Sequence, residues 1–89
     1  MTTCKRVIYT GQVQGVGFRY TTRRLAANFA VAGYVRNRPD GSVELVVEGP
    51  AEEVDRFLEA VTRQMAGYID AQTVHDESPC GYQGFVVRG

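Results

Sequence analysis

The segment Gly11-Gln12-Val13-Gln14-Gly15-Val16-Gly17-Phe18-Arg19 restricts this chain more than any other. It sets a glycine-rich turn between an apolar, strand-like run and a helix-like run, and it ends on arginine. Glycine permits tight backbone curvature that other residues resist, so the chain here turns sharply from a strand into a helix. A loop that enters a helix N-terminus gathers several backbone N–H groups without intrahelical acceptors, where the helix dipole also favours negative charge. A guanidinium beside them holds phosphate oxygens through two parallel hydrogen bonds. The segment predicts a phosphate site and leaves open what chemistry happens there.

The rest of the chain supplies elements to support that turn. Val7, Ile8 and Tyr9 read as a strand leading into it. From Tyr20 to Ala32, apolar residues recur at Leu25, Ala26, Phe29 and Ala32 with helical spacing, and Gly33 is expected just past the helix end. Gly33 to Asn37 is short and strand-like, Pro39-Asp40-Gly41 is a turn, and Val43, Leu45 and Val47 alternate with Glu44, Val46 and Glu48 as a half-buried strand. These two runs predict a hairpin. Gly49-Pro50 opens a second helix with proline at its first position. Glu52, Glu53 and Asp55 crowd its favourable end, and Val54, Phe57, Leu58, Val61 and Met65 form its buried stripe. A strand over Ile69 to Asp76, a Ser78-Pro79-Cys80-Gly81 turn and a last short strand at Phe85 to Arg88 complete the order. The order is β-α-β-β-α-β plus a terminal strand. It predicts an α+β, ferredoxin-like sandwich with a mainly antiparallel sheet and two helices on one face.

With 89 residues, 44% hydrophobic and 22% charged, residues 1–89 are expected to form a single domain. No apolar run approaches the ~20 residues of a membrane span, and Met1 to Arg6 lacks the apolar core of a signal peptide. The expected compartment is the cytoplasm. Net charge is zero but unevenly spread. Residues 1–41 carry Lys5, Arg6, Arg19, Arg23, Arg24, Arg36 and Arg38 against Asp40 alone; the remainder carries three arginines against nine acids. Zero overall charge argues against a general nucleic-acid binder, whereas a positive first half suits one local anionic ligand. Cys4 and Cys80 are too few and too far apart for a metal motif, and two free thiols are the expected state.

The motifs that are missing narrow the chemistry. Neither nucleotide fingerprint is present, no His/Cys/carboxylate cluster has metal-ligand spacing, and no cysteine follows the glycine loop as a nucleophile. His75 reads as a lone strand residue with a structural role. An enzyme on this chain is expected to work with neither metal nor other cofactor, and without a covalent nucleophile. That favours a substrate with a good leaving group. An acyl phosphate releases a carboxylate of pKa about 4, so no acid need deliver a proton, and phosphoryl transfer depends mostly on positioning and charge stabilisation.

Val13-Gln14-Gly15-Val16-Gly17-Phe18-Arg19, with Gly33-Tyr34-Val35-Arg36-Asn37 and Asp40-Gly41-Ser42-Val43, closely resembles the acylphosphatase family. So do Glu48-Gly49-Pro50 before an amphipathic helix and the ending Phe85-Val86-Val87-Arg88. The resemblance runs nearly the whole chain in the right order and spacing. It implies a small enzyme of the common type that hydrolyses acyl phosphates to a carboxylate and inorganic phosphate. Arg19 is the implied phosphate-binding arginine, assisted by the backbone N–H groups of Gln14, Gly15, Val16, Gly17 and Phe18. Asn37 is implied to hold the attacking water, whose proton passes to the substrate's own phosphate. No nucleic acid, membrane or metal partner is implied, and a monomer is expected.

Other residues have plainer readings. Phe18 and Tyr20 are expected to be packing anchors, and Arg23 a solvated helix charge one turn after Arg19. Arg36 and Arg38 should point away from the face that carries Asn37, and Ser42 is a candidate for fixing the turn. Tyr34 stands where many relatives of the resemblance have tryptophan, Met65-Ala66-Gly67-Tyr68 replaces a Gly-Pro turn, and Gly89 ends the chain in place of an aromatic. The alternative function is a non-catalytic module of the same fold that binds phosphate or carbamoyl phosphate. An RNA-binding role is set aside, because Val43-Glu44-Leu45-Val46-Val47-Glu48 offers no aromatic for base stacking.

Overall fold

A computed structural model describes residues 2–88. Its elements are β1 (Thr2–Gly11), α1 (Phe18–Ala26), β2 (Ala32–Asn37), β3 (Val43–Pro50), α2 (Ala51–Gln64), β4 (Ile69–Glu77) and β5 (Phe85–Arg88). The five strands form one sheet in the order β4-β1-β3-β2-β5, antiparallel except for the parallel β2–β5 pair. The two helices pack on one face, giving the expected ferredoxin-like sandwich. No helix among the described residues is long and apolar enough to cross a membrane.

Alternation along the strands sorts the core. Val7, Tyr9, Val35, Val43, Leu45 and Val47 face the helices and meet Val54, Phe57 and Val61 of α2 and Phe18 of α1. Each fully buried side chain of this size contributes about 1.5–3 kcal/mol. The Phe57 ring forms edge contacts with Phe29 and Phe85, at 5.9 and 5.5 Å between centroids, which ties α2 to the segment after α1 and to the last strand.

Three details depart from the sequence reading. Helix α1 covers Phe18–Ala26 rather than running on to Ala32. Beyond it, Asn28 and Phe29 donate N–H groups to Leu25 and Ala26 carbonyls in tighter turns, and the Ala30 N–H donates to Glu53 Oε1 at 2.9 Å. The helical spacing of Phe29 persists because the turn still buries it, but pairing of Ala32 with Glu48 draws the chain into the sheet. Gly33 is accordingly not a helix cap. It lies within β2 at φ 143°, where a Cβ would stand 1.9 Å from the Val46 carbonyl oxygen, so only glycine allows the two strands this approach. Pro50 likewise precedes α2 as its N-cap instead of occupying its first turn.

The third departure concerns β3, which is buried on both faces from Val43 to Glu48. On the helix-free face, Glu44 accepts from Arg36 Nε at 2.6 Å and the Tyr34 hydroxyl at 3.1 Å, with Arg6 Nη1 at 3.6 Å. Burial raises the Glu44 carboxyl, but the Arg36 and Tyr34 hydrogen bonds and the charges of Arg36 and Arg6 outweigh it and hold its pKa below the usual range. Glu48 accepts the N–H groups of Cys80 and Gly81 at 2.9 and 3.0 Å, and so fastens the segment after β4 over the sheet. Cys4 is buried and Cys80 exposed, and both are free thiols. Strand β4 is an exposed edge whose Asp70, His75, Asp76 and Glu77 discourage pairing with another chain.

Candidate active site

Register brings the sequence-predicted residues to one end of the sheet. Tyr9, near the end of β1, pairs with Val43, and Val43 pairs with Asn37, the last residue of β2. Arg88 of β5 pairs with Arg36 on the other side of β2. The loop leaving β1, the Asn37 hairpin and the last strand therefore share one edge, although 77 positions separate Gly11 from Arg88.

The loop folds as its glycines dictate. Gly15 and Gly17 have φ of 78° and 79°, the left-handed region in which a side chain is strained. Gly17 caps α1 and brings no side-chain acceptor. The first amide of the helix region to find a carbonyl is that of Thr21, bonded to Gly17 O at 3.0 Å. Among the described residues, the amides of Gly15, Val16, Gly17 and Phe18 have no protein acceptor. They line a turn at the positive end of a helix, the arrangement that binds anions.

A cavity of about 210 Å³ opens there, lined by Gly15, Gly17, Arg19, Tyr20 and Asn37 over a floor of Val13 and Phe18. Among the described residues, its lining includes no carboxylate side chain, histidine or cysteine. Phe18 is 2% exposed and stacks at a tilt on Tyr9, 5.0 Å between centroids, as an anchor should. Tyr20 is not an anchor: it is 65% exposed at the rim, because the third residue of α1 faces away from the sheet. Arg19 donates from Nη1 to the Arg88 carbonyl at 3.1 Å, and the Arg88 guanidinium lies 3.9 Å over the Tyr34 ring. The last strand thus steadies the arginine of the first loop and leaves its other N–H groups available.

Asn37 carries the most telling atom of the site. Its Oδ1 is buried and has no hydrogen-bond partner among the described residues, a costly state for a carbonyl unless a ligand or water completes it. The Tyr9 hydroxyl is likewise buried without a hydrogen-bond partner among the described residues, and burial pushes its phenol well up, so it stays protonated. Arg36 turns to the helix-free face as expected. Arg38 stands 3.9 Å from Asp40. Ser42 donates its N–H and its hydroxyl to Asp40 Oδ1, at 2.9 and 2.5 Å, and these two bonds hold the Asp40 carboxyl below its usual range.

One residue has a role that its sequence position did not disclose. The Gln14 side-chain amide donates to the Arg38 carbonyl at 2.8 Å and the Ser42 carbonyl at 2.9 Å. It pins the glycine loop to the turn that follows Asn37, so the two halves of the site move as one. The sequence signal was a long amide side chain inside a glycine loop, but its acceptors lie 24 and 28 positions away.

Comparison with known proteins agrees with this geometry. The family model described as Acylphosphatase matches residues 5–87. The chain is similar to an acylphosphatase of Methanospirillum hungatei, 41% identical over 88 residues and covering 94% of this chain and 97% of that one. It is also similar to an acylphosphatase of Thermotoga maritima, 43% identical over 79 residues and covering 88% of each. Among solved structures, the acylphosphatase from Bacillus subtilis superposes with a TM-score of 0.88 at 35% identity, covering 100% of both chains.

Proposed function

The chain belongs to the acylphosphatase family and hydrolyses acyl phosphates, and from that premise we propose that Arg19, Asn37 and the amides of residues 14–18 carry the reaction. The amides of Gln14, Gly15, Val16, Gly17 and Phe18, with the Arg19 guanidinium, hold the phosphoryl oxygens. Asn37 Oδ1 accepts a hydrogen bond from a water and aims it at phosphorus, in line with the bond to be broken. The water oxygen bonds to phosphorus, the bond from phosphorus to the acyl oxygen breaks, and its electron pair leaves with the carboxylate. The water's proton passes to a phosphoryl oxygen of the substrate. Since a carboxylate leaves without protonation at neutral pH, the residues lining the cavity need supply only position and positive charge. No metal enters this scheme.

The observation that carries this reading is the buried, unpartnered Oδ1 of Asn37, a residue that lines the same cavity as Arg19 beside the unpaired loop amides. The non-catalytic alternative is not favoured, because the relatives that match over most of the chain are acylphosphatases. We further propose that residues 1–89 act as one cytoplasmic domain and as a monomer, with an acyl phosphate and inorganic phosphate as its partners and no nucleic acid.

Initial rates of acetyl phosphate hydrolysis, measured with a chelator present, test the scheme. Arg19→Ala is expected to lose both turnover and phosphate inhibition. Asn37→Ala is expected to lose about 100-fold or more in kcat while phosphate still inhibits. Equal loss of both functions in Asn37→Ala, or abolition of wild-type turnover by the chelator, would overturn the assigned roles.

A further inference from the structure

The phosphate cavity leaves the acyl half of the substrate almost without side-chain neighbours. Gly15 and Gly17 contribute backbone only, and Arg19 and Asn37 are engaged by phosphoryl oxygens and water on the reading above, on which this inference rests. Val13 and Phe18 are 0% and 2% exposed, so their surfaces are already spent on the core. Among the described residues that line the cavity, Tyr20 is the one apolar side chain left largely exposed. Isolated exposed aromatics are ordinary on protein surfaces; the position of this one is what matters. It follows Arg19 on the same helical turn, so the helix backbone fixes its Cα relative to the phosphate-binding guanidinium. A phosphoryl group seated against the loop amides must direct its acyl group outward, past that rim.

We propose that Tyr20 determines specificity for the acyl half and selects acyl phosphates with flat aromatic or extended apolar acyl groups over acetyl-sized ones. The phenol ring offers a broad face with only two side-chain torsions to fix, so a ligand orders it cheaply. The cavity mouth is positively charged at Arg19, and among the described lining residues the Tyr20 ring offers the largest exposed apolar face. Because the acyl group changes little between bound substrate and transition state, the contact strengthens both equally. Its effect belongs in KM and in kcat/KM, not in kcat. One aromatic contact of this kind corresponds to roughly 2- to 10-fold in kcat/KM.

The test compares benzoyl phosphate with acetyl phosphate in the wild-type chain, Tyr20→Ala and Tyr20→Phe. Wild type is expected to prefer benzoyl phosphate. Tyr20→Ala is expected to lower the benzoyl-to-acetyl ratio of kcat/KM by roughly 2- to 10-fold, the loss lying in KM for the aromatic substrate, with inhibition by inorganic phosphate kept. Tyr20→Phe is expected to restore the wild-type ratio. A ratio unchanged in Tyr20→Ala, or a Tyr20→Phe chain as impaired as the alanine variant, would overturn the proposal. Failure of the catalytic reading looks different: it shows as retained acetyl phosphate turnover in Arg19→Ala, whatever Tyr20 does.

Discussion

Replacing the Gln14 side chain unties the two halves of the site and leaves the Gln14 backbone amide in place. Its side chain makes two hydrogen bonds, to the carbonyls of Arg38 and Ser42. Each acceptor keeps one backbone donor in the variant: Gly41 N–H for Arg38 at 3.1 Å, and Arg38 N–H for Ser42 at 2.8 Å. No carbonyl is orphaned, so the loss is the net value of two bonds at about 0.5–1.5 kcal/mol each. Gln14→Ala should therefore lose about 1–3 kcal/mol, a fall in Tm of roughly 5–20 °C for a chain of this size. Gln14→Glu should be worse at neutral pH, because a carboxylate donates nothing and faces two carbonyl oxygens. The carboxyl is pushed up by that environment, so the gap between the two variants should narrow as pH falls and the acid regains a proton to donate. In both variants the loop can drift from Asn37, and a misplacement of about 1 Å is enough to cost up to 100-fold in rate. Thermal unfolding followed by circular dichroism, with initial rates on acetyl phosphate, measures both effects. Glutamate no more harmful than alanine at pH 7, or an alanine variant melting within about 2 °C of wild type, would refute the clamp.

Two further outcomes follow from the sheet. Gly33→Ala places a Cβ 1.9 Å from the Val46 carbonyl oxygen, a backbone atom fixed by the ladder, so it should cost more than about 4 kcal/mol. Gly41→Ala, where the same atom meets open space, should cost only the left-handed strain of about 1–2 kcal/mol, and denaturant melts of the pair check the contrast. Glu44 has a folded-state pKa below its unfolded one, so its contribution to stability is present above the ordinary value of about 4.3 and is lost as pH falls through the depressed one. Acid unfolding of Glu44→Gln should accordingly lack part of the wild-type loss of stability below that value; an identical acid profile would contradict the pairing with Arg36 and Arg6.

The elements were legible because their signals are local. Strand alternation, the Pro39-Asp40-Gly41 turn and the stripe of α2 each lie within a few residues of one another. Arg19 was legible for the same reason, since glycines, helix start and guanidinium are adjacent. The end of α1 was misread because Phe29 keeps helical spacing in a turn that is buried for another reason, its contact with Phe57. Tyr20 was misread because aromaticity alone does not state which way the third residue of a helix points.

By itself the sequence determined the order of elements, the tight glycine turn before α1, and the backbone amides gathered at that helix start. These are properties of backbone sterics and short-range spacing. Only the tertiary structure decided what those amides face. Antiparallel register set Asn37 beside the loop and left its Oδ1 without a partner, and the parallel β5 carried the Arg88 carbonyl to Arg19. Gln14 joined the two through carbonyls whose positions no local pattern encodes. The chain's spacing thus made a turn of unpaired amides at a helix start, and long-range pairing set beside it the buried acceptor to which we assign the attacking water.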